Sequence, residues 1–118
     1  MCTNTTVPDY ALGPHTASIG LTFNRGDLFP PHYRGGAFIG QHGSWNRNPR
    51  SGYAVIFVPF ANGRPAGPPE QVLTGFVDDK GRARGRPVGV AFDRKGALLV
   101  ADDVGDSIWR VIPSPMKP

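Results

Sequence analysis

The chain has 118 residues, enough for one ordinary domain with a modest core. Gly 16 and Pro 13 together make about a quarter of it, close to the level of disordered chains, but they fall between apolar segments rich in Phe and Tyr and read as turns. The net charge of +4 and pI of about 9.7 come mainly from loop arginines such as Arg47, Arg50, Arg82, Arg84 and Arg86. No nucleic-acid-binding motif and no basic helix accompany them, which excludes a groove-reading protein and leaves an anionic ligand or surface, or plain solubility. Helix is nearly excluded, since no stretch of about eleven residues avoids Gly and Pro while keeping a 3.6-residue apolar period. Cys2 is the only cysteine, so an intrachain disulfide is ruled out. No apolar run approaches the roughly 18 residues of a membrane span. Met1 to Tyr10 is polar and lacks the core of a signal peptide, so any export address would lie upstream.

Residues 1 to 14 form an entry segment with Pro8, Gly13 and Pro14. Thr16 to Phe23 is predicted as the first strand, and Asn24 to Gly36 as a long Gly/Pro loop. Ala37 to Gln41 is the second strand, and His42 to Gly52 a polar loop turned by Asn46, Asn48, Pro49 and Gly52. Tyr53 to Phe60 is the third strand, apolar on both faces as between neighbouring sheets. Asn62-Gly63 marks a tight turn, and Glu70 to Phe76 a fourth, outer strand. Val77 to Pro87 is a charged connector. Val88 to Phe92, Ala97 to Ala101 and Ser107 to Ile112 are three further strands, and the Pro-rich tail after them cannot be a central strand.

These segments repeat. Ile19-Gly-Leu-Thr-Phe-Asn24 is answered by Val88-Gly-Val-Ala-Phe-Asp93, Ala37-Phe-Ile-Gly40 by Ala97-Leu-Leu-Val100, and Tyr53 to Pro59 by Ser107 to Pro113. Recurring units of three or four antiparallel strands are β-propeller blades. The expected fold is therefore an all-β propeller fragment of about two blades, spanning about 16–76 and 86–112 within a single segment 1–118. Two blades cannot close a ring, and the second lacks its outer strand. The flat faces and the edge of the last strand are then expected to be uncovered, and the isolated chain to self-associate or to fold marginally.

The run Phe29-Pro-Pro-His-Tyr-Arg-Gly-Gly-Ala-Phe-Ile-Gly-Gln-His-Gly-Ser-Trp-Asn-Arg47 resembles the C-terminal part of the glucose/sorbosone dehydrogenases, most closely the L-sorbosone dehydrogenase branch. Gly85 to Phe92 followed by Gly96 to Asp103 resembles the last blade of the same branch, although NHL-type repeats share that pattern. The resemblance covers about Asp9 to Val111. It implies a six-bladed propeller carrying pyrroloquinoline quinone (PQQ), often with calcium, that oxidises sugars or sugar aldehydes and passes electrons to an external acceptor. It implies a periplasmic or secreted location. In this family the catalytic base and main calcium site lie in earlier blades, so no residue here is assigned as base or metal ligand.

A tricarboxylate quinone needs cationic donors on loops at the propeller mouth. Arg86, just before the inner strand of the second unit, matches a cofactor-binding arginine of the related enzymes; a second arginine expected two residues on is Val88 here. Arg86 also reads as a solvated loop residue. The relatives place a cofactor-contacting lysine near the loop of His42, Trp45 and Arg47. No lysine occurs there, so His42 or Arg47 would replace it. Trp45 would stack on a flat ring or fill a gap between blades. His15, placed in its blade as Arg86 is in the next, would face the mouth or tie loops together. His32 reads as surface with no partner. Asp102, Asp103 and Asp106 match a calcium cluster in number but not in spacing, and read as turn caps.

Two readings remain beside an inactive piece of a quinone-dependent dehydrogenase. One is an NHL-like scaffold module that completes a ring by self-association. The other is a gluconolactonase-like hydrolase, whose calcium shell is not found.

Overall fold

The computed structural model describes residues 2–45 and 47–114. The turn role of Asn46 and the tail 115–118 lie outside the described residues. Two antiparallel sheets carry the fold. The first contains β1 (Ser18–Phe23), β2 (Ala37–Gln41), β3 (Ala54–Val58) and β6 (Glu70–Leu73), hydrogen-bonded in the order β1-β2-β3-β6. The second contains β7 (Pro87–Phe92), β8 (Leu98–Asp102) and β9 (Ser107–Val111) in that order. A small hairpin of β4 (Phe60–Ala61) and β5 (Arg64–Pro65) turns through Asn62-Gly63, whose φ angles of 54° and 76° need residues tolerant of left-handed backbone. Short 3₁₀ turns occupy Cys2–Asn4 and Pro31–Tyr33. The fold is all-β, two blade-like sheets of propeller type, and among the described residues no fourth strand pairs with β9.

The blades stack because their facing sides are apolar and, at the innermost strands, bare. β7 lies against β1 and β2. Gly20 and Gly40 face Val88 there, and a Cβ on Gly40 would sit 2.5 Å from the Val88 carbonyl oxygen. Further out, Phe29, Phe38, Val55, Phe57, Leu98 and Val100 form one buried cluster across the seam. Phe38 meets Phe29 at 5.7 Å and Phe92 at 5.3 Å between ring centroids. Each such side chain contributes on the order of 1.5–3 kcal/mol by leaving water.

One expectation is corrected here. The outer face of the first blade is not bare over β2 and β3: Ala37, Ile39, Ala54, Ile56 and Val58 are buried there, with Leu12 and Phe60 packed on them. The entry segment and the hairpin cover that face, leaving Ile19 and Leu21 exposed at its inner strand. The second blade does leave apolar surface open, with Ile108 at 74% exposure. His32 is a second correction. Its Nε2 lies 2.5 Å from Glu70 Oε2, and its ring lies 4.9 Å from that of Tyr33. No helix among the described residues is long and apolar enough to cross a membrane.

Candidate functional site

Antiparallel pairing fixes which loops share an end. Ser18 pairs with Gln41, Gln41 with Ala54, Pro87 with Asp102 and Asp102 with Ser107. The entry to β1, the β2–β3 loop, the connector into β7 and the β8–β9 turn therefore lie together at one end of the blades. All five candidate residues, His15, His42, Trp45, Arg47 and Arg86, fall in these loops.

Arg86 crosses the seam between the blades. Its Nε donates to the His42 carbonyl at 2.8 Å, and its Nη2 donates to the Gly43 and Ser44 carbonyls at 2.7 and 3.3 Å. The guanidinium carbon stands 4.9 Å from the centre of the Tyr53 ring, within cation–π range. Nη1 has no hydrogen-bond partner among the described residues. The Arg86 amide donates to Asp102 Oδ1 at 2.8 Å. Arg86 is thus a clamp on the β2–β3 loop with one nitrogen still open.

The His42 imidazole makes a second link across the seam, with Nε2 3.0 Å from both carboxylate oxygens of Asp103. Its loop is held in turn by backbone bonds from the His42 and Gly43 amides to the Ala17 and Thr16 carbonyls, each 2.9 Å. The Tyr53 hydroxyl donates to the Ser44 carbonyl and receives Arg50 Nη1 at 3.0 Å. His15 has a φ of 59° and an exposed side chain. Its carbonyl, not its imidazole, ties the loops, accepting from the Ser51 hydroxyl at 3.0 Å. Trp45 and Arg47 instead line a groove shared with residues 74–81. Neither Arg86, His42 nor His15 lines that groove. The structure therefore links Arg86 and His42 at the seam, and sets Trp45 and Arg47 together on a separate groove.

Asp102 is a turn cap, as its neighbours in sequence suggested. Burial opposes its charge, but hydrogen bonds from the Gly105 and Arg86 amides, the Trp109 indole and the Val104 amide outweigh it and hold its carboxyl below the ordinary carboxylate value. Among the described residues no group of three His, Cys, Asp or Glu side chains is placed to hold a metal ion. Asp103, Tyr53 and Arg50 are the participants that sequence reasoning missed. The Asp102-Asp103 pair is the available signal in the sequence.

The sequence profile of the TrAA12-like family matches residues 1–113. An uncharacterised protein of Borreliella burgdorferi is 37% identical over 103 residues, covering 86% of this chain and 27% of its own length. A pyrroloquinoline quinone-dependent pyranose dehydrogenase of Coprinopsis cinerea is 30% identical over 124 residues, covering 90% of this chain and 16% of its own length. The holo structure of the PQQ domain of the Coprinopsis pyranose dehydrogenase superposes with a TM-score of 0.75 at 27% identity, over 95% of this chain and 31% of that one. The chain thus spans about a quarter or less of the curated relatives it matches. The kinship implied by the motif runs and the pairing of its strands agree with these matches: the chain belongs to the TrAA12-like family.

Proposed function

We propose that this chain is the C-terminal portion of a PQQ-dependent sugar dehydrogenase of sorbosone or pyranose type, supplying two blades, about 16–76 and 86–112, to a six-bladed ring. The superposition of 95% of the chain on a quinone-bearing propeller domain carries this reading. The loop-end chemistry supports it. A tricarboxylate suits cationic and N–H donors gathered at one mouth, and Arg86 through Nη1, His42 and His15 offer them there. Arg86 would meet a carboxylate with one end of its fork, because Nε and Nη2 already hold backbone carbonyls. Arg47 and Trp45 belong to the same end, on the separate groove. Bound at this mouth, the quinone would supply the acceptor for a hydride equivalent from a sugar or sugar aldehyde.

The residues of this chain then bind and orient. The base that removes the substrate proton, and any calcium ligands, belong to blades outside it, so the chain alone is inactive. A periplasmic or secreted location and an external electron acceptor follow from the same reading. The test is a graft in which this chain replaces the matching 31% of the Coprinopsis quinone domain. The graft should bind PQQ and reduce a dye with a pyranose substrate, while the chain alone with PQQ should not. A folded graft without quinone binding, or dye reduction by the chain alone, overturns the proposal.

A further inference from the structure

Tyr53 leads the chain into β3 with a φ of 57°, in the left-handed region that bulky residues rarely adopt. Gly52 before it is at φ 81°, so two left-handed residues follow one another. A second glycine would make that turn without strain. The residue present is instead a tyrosine, 3% exposed. Backbone strain of this kind persists only where surrounding contacts over-determine it, and here the side chain supplies them.

The ring occupies the space left by Gly43, where a Cβ would collide with it. The hydroxyl donates to the Ser44 carbonyl and receives Arg50 Nη1 at 3.0 Å. Arg50 is anchored in turn by its Nε, which donates to the Gly81 carbonyl at 2.6 Å. The face of the ring carries the Arg86 guanidinium, with Cζ 4.9 Å from the ring centre. Arg86 Nη2 reaches the same Ser44 carbonyl at 3.3 Å. Tyr53 and Arg86 thus share one acceptor and one stacking contact.

That contact sets a degree of freedom the hydrogen bonds leave loose. Nε and Nη2 pin one edge of the guanidinium to the His42 and Gly43 carbonyls. A carbonyl accepts over a broad range of angles, so the edge bonds hold the plane only weakly. An aromatic face beneath a flat cation fixes the plane. With edge and plane both set, the direction of the Nη1 N–H bonds is set as well. We propose that Tyr53 is a positioning residue: its ring face orients the Arg86 guanidinium and so aims Nη1 as a preformed donor for a carboxylate at the mouth. A donor held ready in this way loses less freedom when its ligand arrives. The orientation is a property of this chain. Only the assignment of the carboxylate to the quinone rests on the quinone reading.

The competing role is a filler that anchors the loop while the carbonyls alone hold Arg86. Two variants separate the roles. Tyr53→Phe keeps the ring face and loses the hydroxyl, whereas Tyr53→Leu keeps apolar volume and loses the face. Tyr53→Met, unbranched and adaptable, stands in if Tyr53→Leu disturbs the backbone spectrum. In the full chain without quinone, the Arg86 Nε–H signal reports the orientation through its ring-current shift and its exchange rate, and it is identified by its loss in Arg86→Lys. Tyr53→Phe should leave that signal in place, while Tyr53→Leu should move it and speed its exchange at least about fivefold. In the graft, Tyr53→Leu should weaken PQQ binding at least about fivefold and Tyr53→Phe less than about twofold. Tyr53→Leu should have no further effect once Arg86 is replaced by Ala. A signal unmoved by Tyr53→Leu, or moved as far by Tyr53→Phe, overturns the proposal. So does an equal loss of quinone binding with Arg86→Ala already present, since the tyrosine would then act on the loop and not through the arginine. A graft that binds no PQQ overturns the quinone reading instead, and the signal in the full chain still decides the orientation.

Discussion

Four donors converge on the Asp102 carboxylate: the amides of Arg86, Val104 and Gly105 on Oδ1, and the Trp109 indole on Oδ2. One carboxylate therefore fixes the start of β7, the β8–β9 turn and a side chain of β9. Asp102→Asn puts an amide N–H against one of these donors, and should cost about 1–3 kcal/mol in urea unfolding at neutral pH. The folded pKa lies below the ordinary value of 3.8. The charge therefore stabilises the fold fully above the unfolded pKa, and that contribution is lost as pH falls through the folded one. Asp78 and Asp93 are shifted the same way, so the measured quantity is the difference between parent and variant. The parent should lose stability more steeply than Asp102→Asn below about pH 3.8. Arg86 makes a separate prediction. Arg86→Lys keeps the charge but cannot reach three carbonyls at once. Amide hydrogen exchange at His42 and Gly43 should accelerate in Arg86→Lys as much as in Arg86→Ala, and unchanged protection would show that the clamp does not order the loop.

At the scale of the strands, the seam depends on the missing side chains of two inner residues. Gly40→Ala would push a methyl group to 2.5 Å from the Val88 carbonyl oxygen, which is backbone and cannot swing away. The variant should lose about 1–3 kcal/mol, read as a lower denaturation midpoint. Gly89→Ala is the control. It lies on β7 with nothing within 4 Å of the added carbon, and should be neutral or slightly stabilising. The strands themselves were legible because β-branched and aromatic runs bounded by Gly and Pro leave few alternatives. Ala37–Gln41 matches its expected bounds. The third strand starts at Ala54, since Tyr53 takes a φ of 57° and turns its hydroxyl to Ser44. The fourth ends at Leu73, before Gly75 at φ 93°. Side-chain partners were not legible. The His32–Glu70 contact spans 38 residues and the His42–Asp103 contact 61, distances over which sequence carries no pattern for a single pair. The clamp role of Arg86 was hidden for the same reason, since its acceptors are backbone carbonyls, which every residue has.

For the whole molecule, the two ends of the stack differ. The first blade closes much of its outer face with Leu12 and Phe60, an arrangement that no periodicity in the entry segment announced. Among the described residues, the second blade has no such cover. Ile108 is 74% exposed, and the far edge of β9 has no strand partner among the described residues. An unpaired edge offers a row of N–H and C=O groups to another strand, and apolar area beside it forfeits about 25 cal/mol per Å² while it stays in water. Both terms favour association of the isolated chain through β9. Sedimentation of the parent should therefore show a mass that rises with concentration between about 10 and 500 μM, a range matching weak contacts. Ile108→Lys places a charge on the open face and should hold the chain monomeric without loss of sheet signal. In the graft with the remaining blades the same substitution should instead weaken folding, because there a neighbouring blade meets that face. A parent that stays monomeric across the range would mean that the β9 edge is already satisfied, and the association proposal would fall with it.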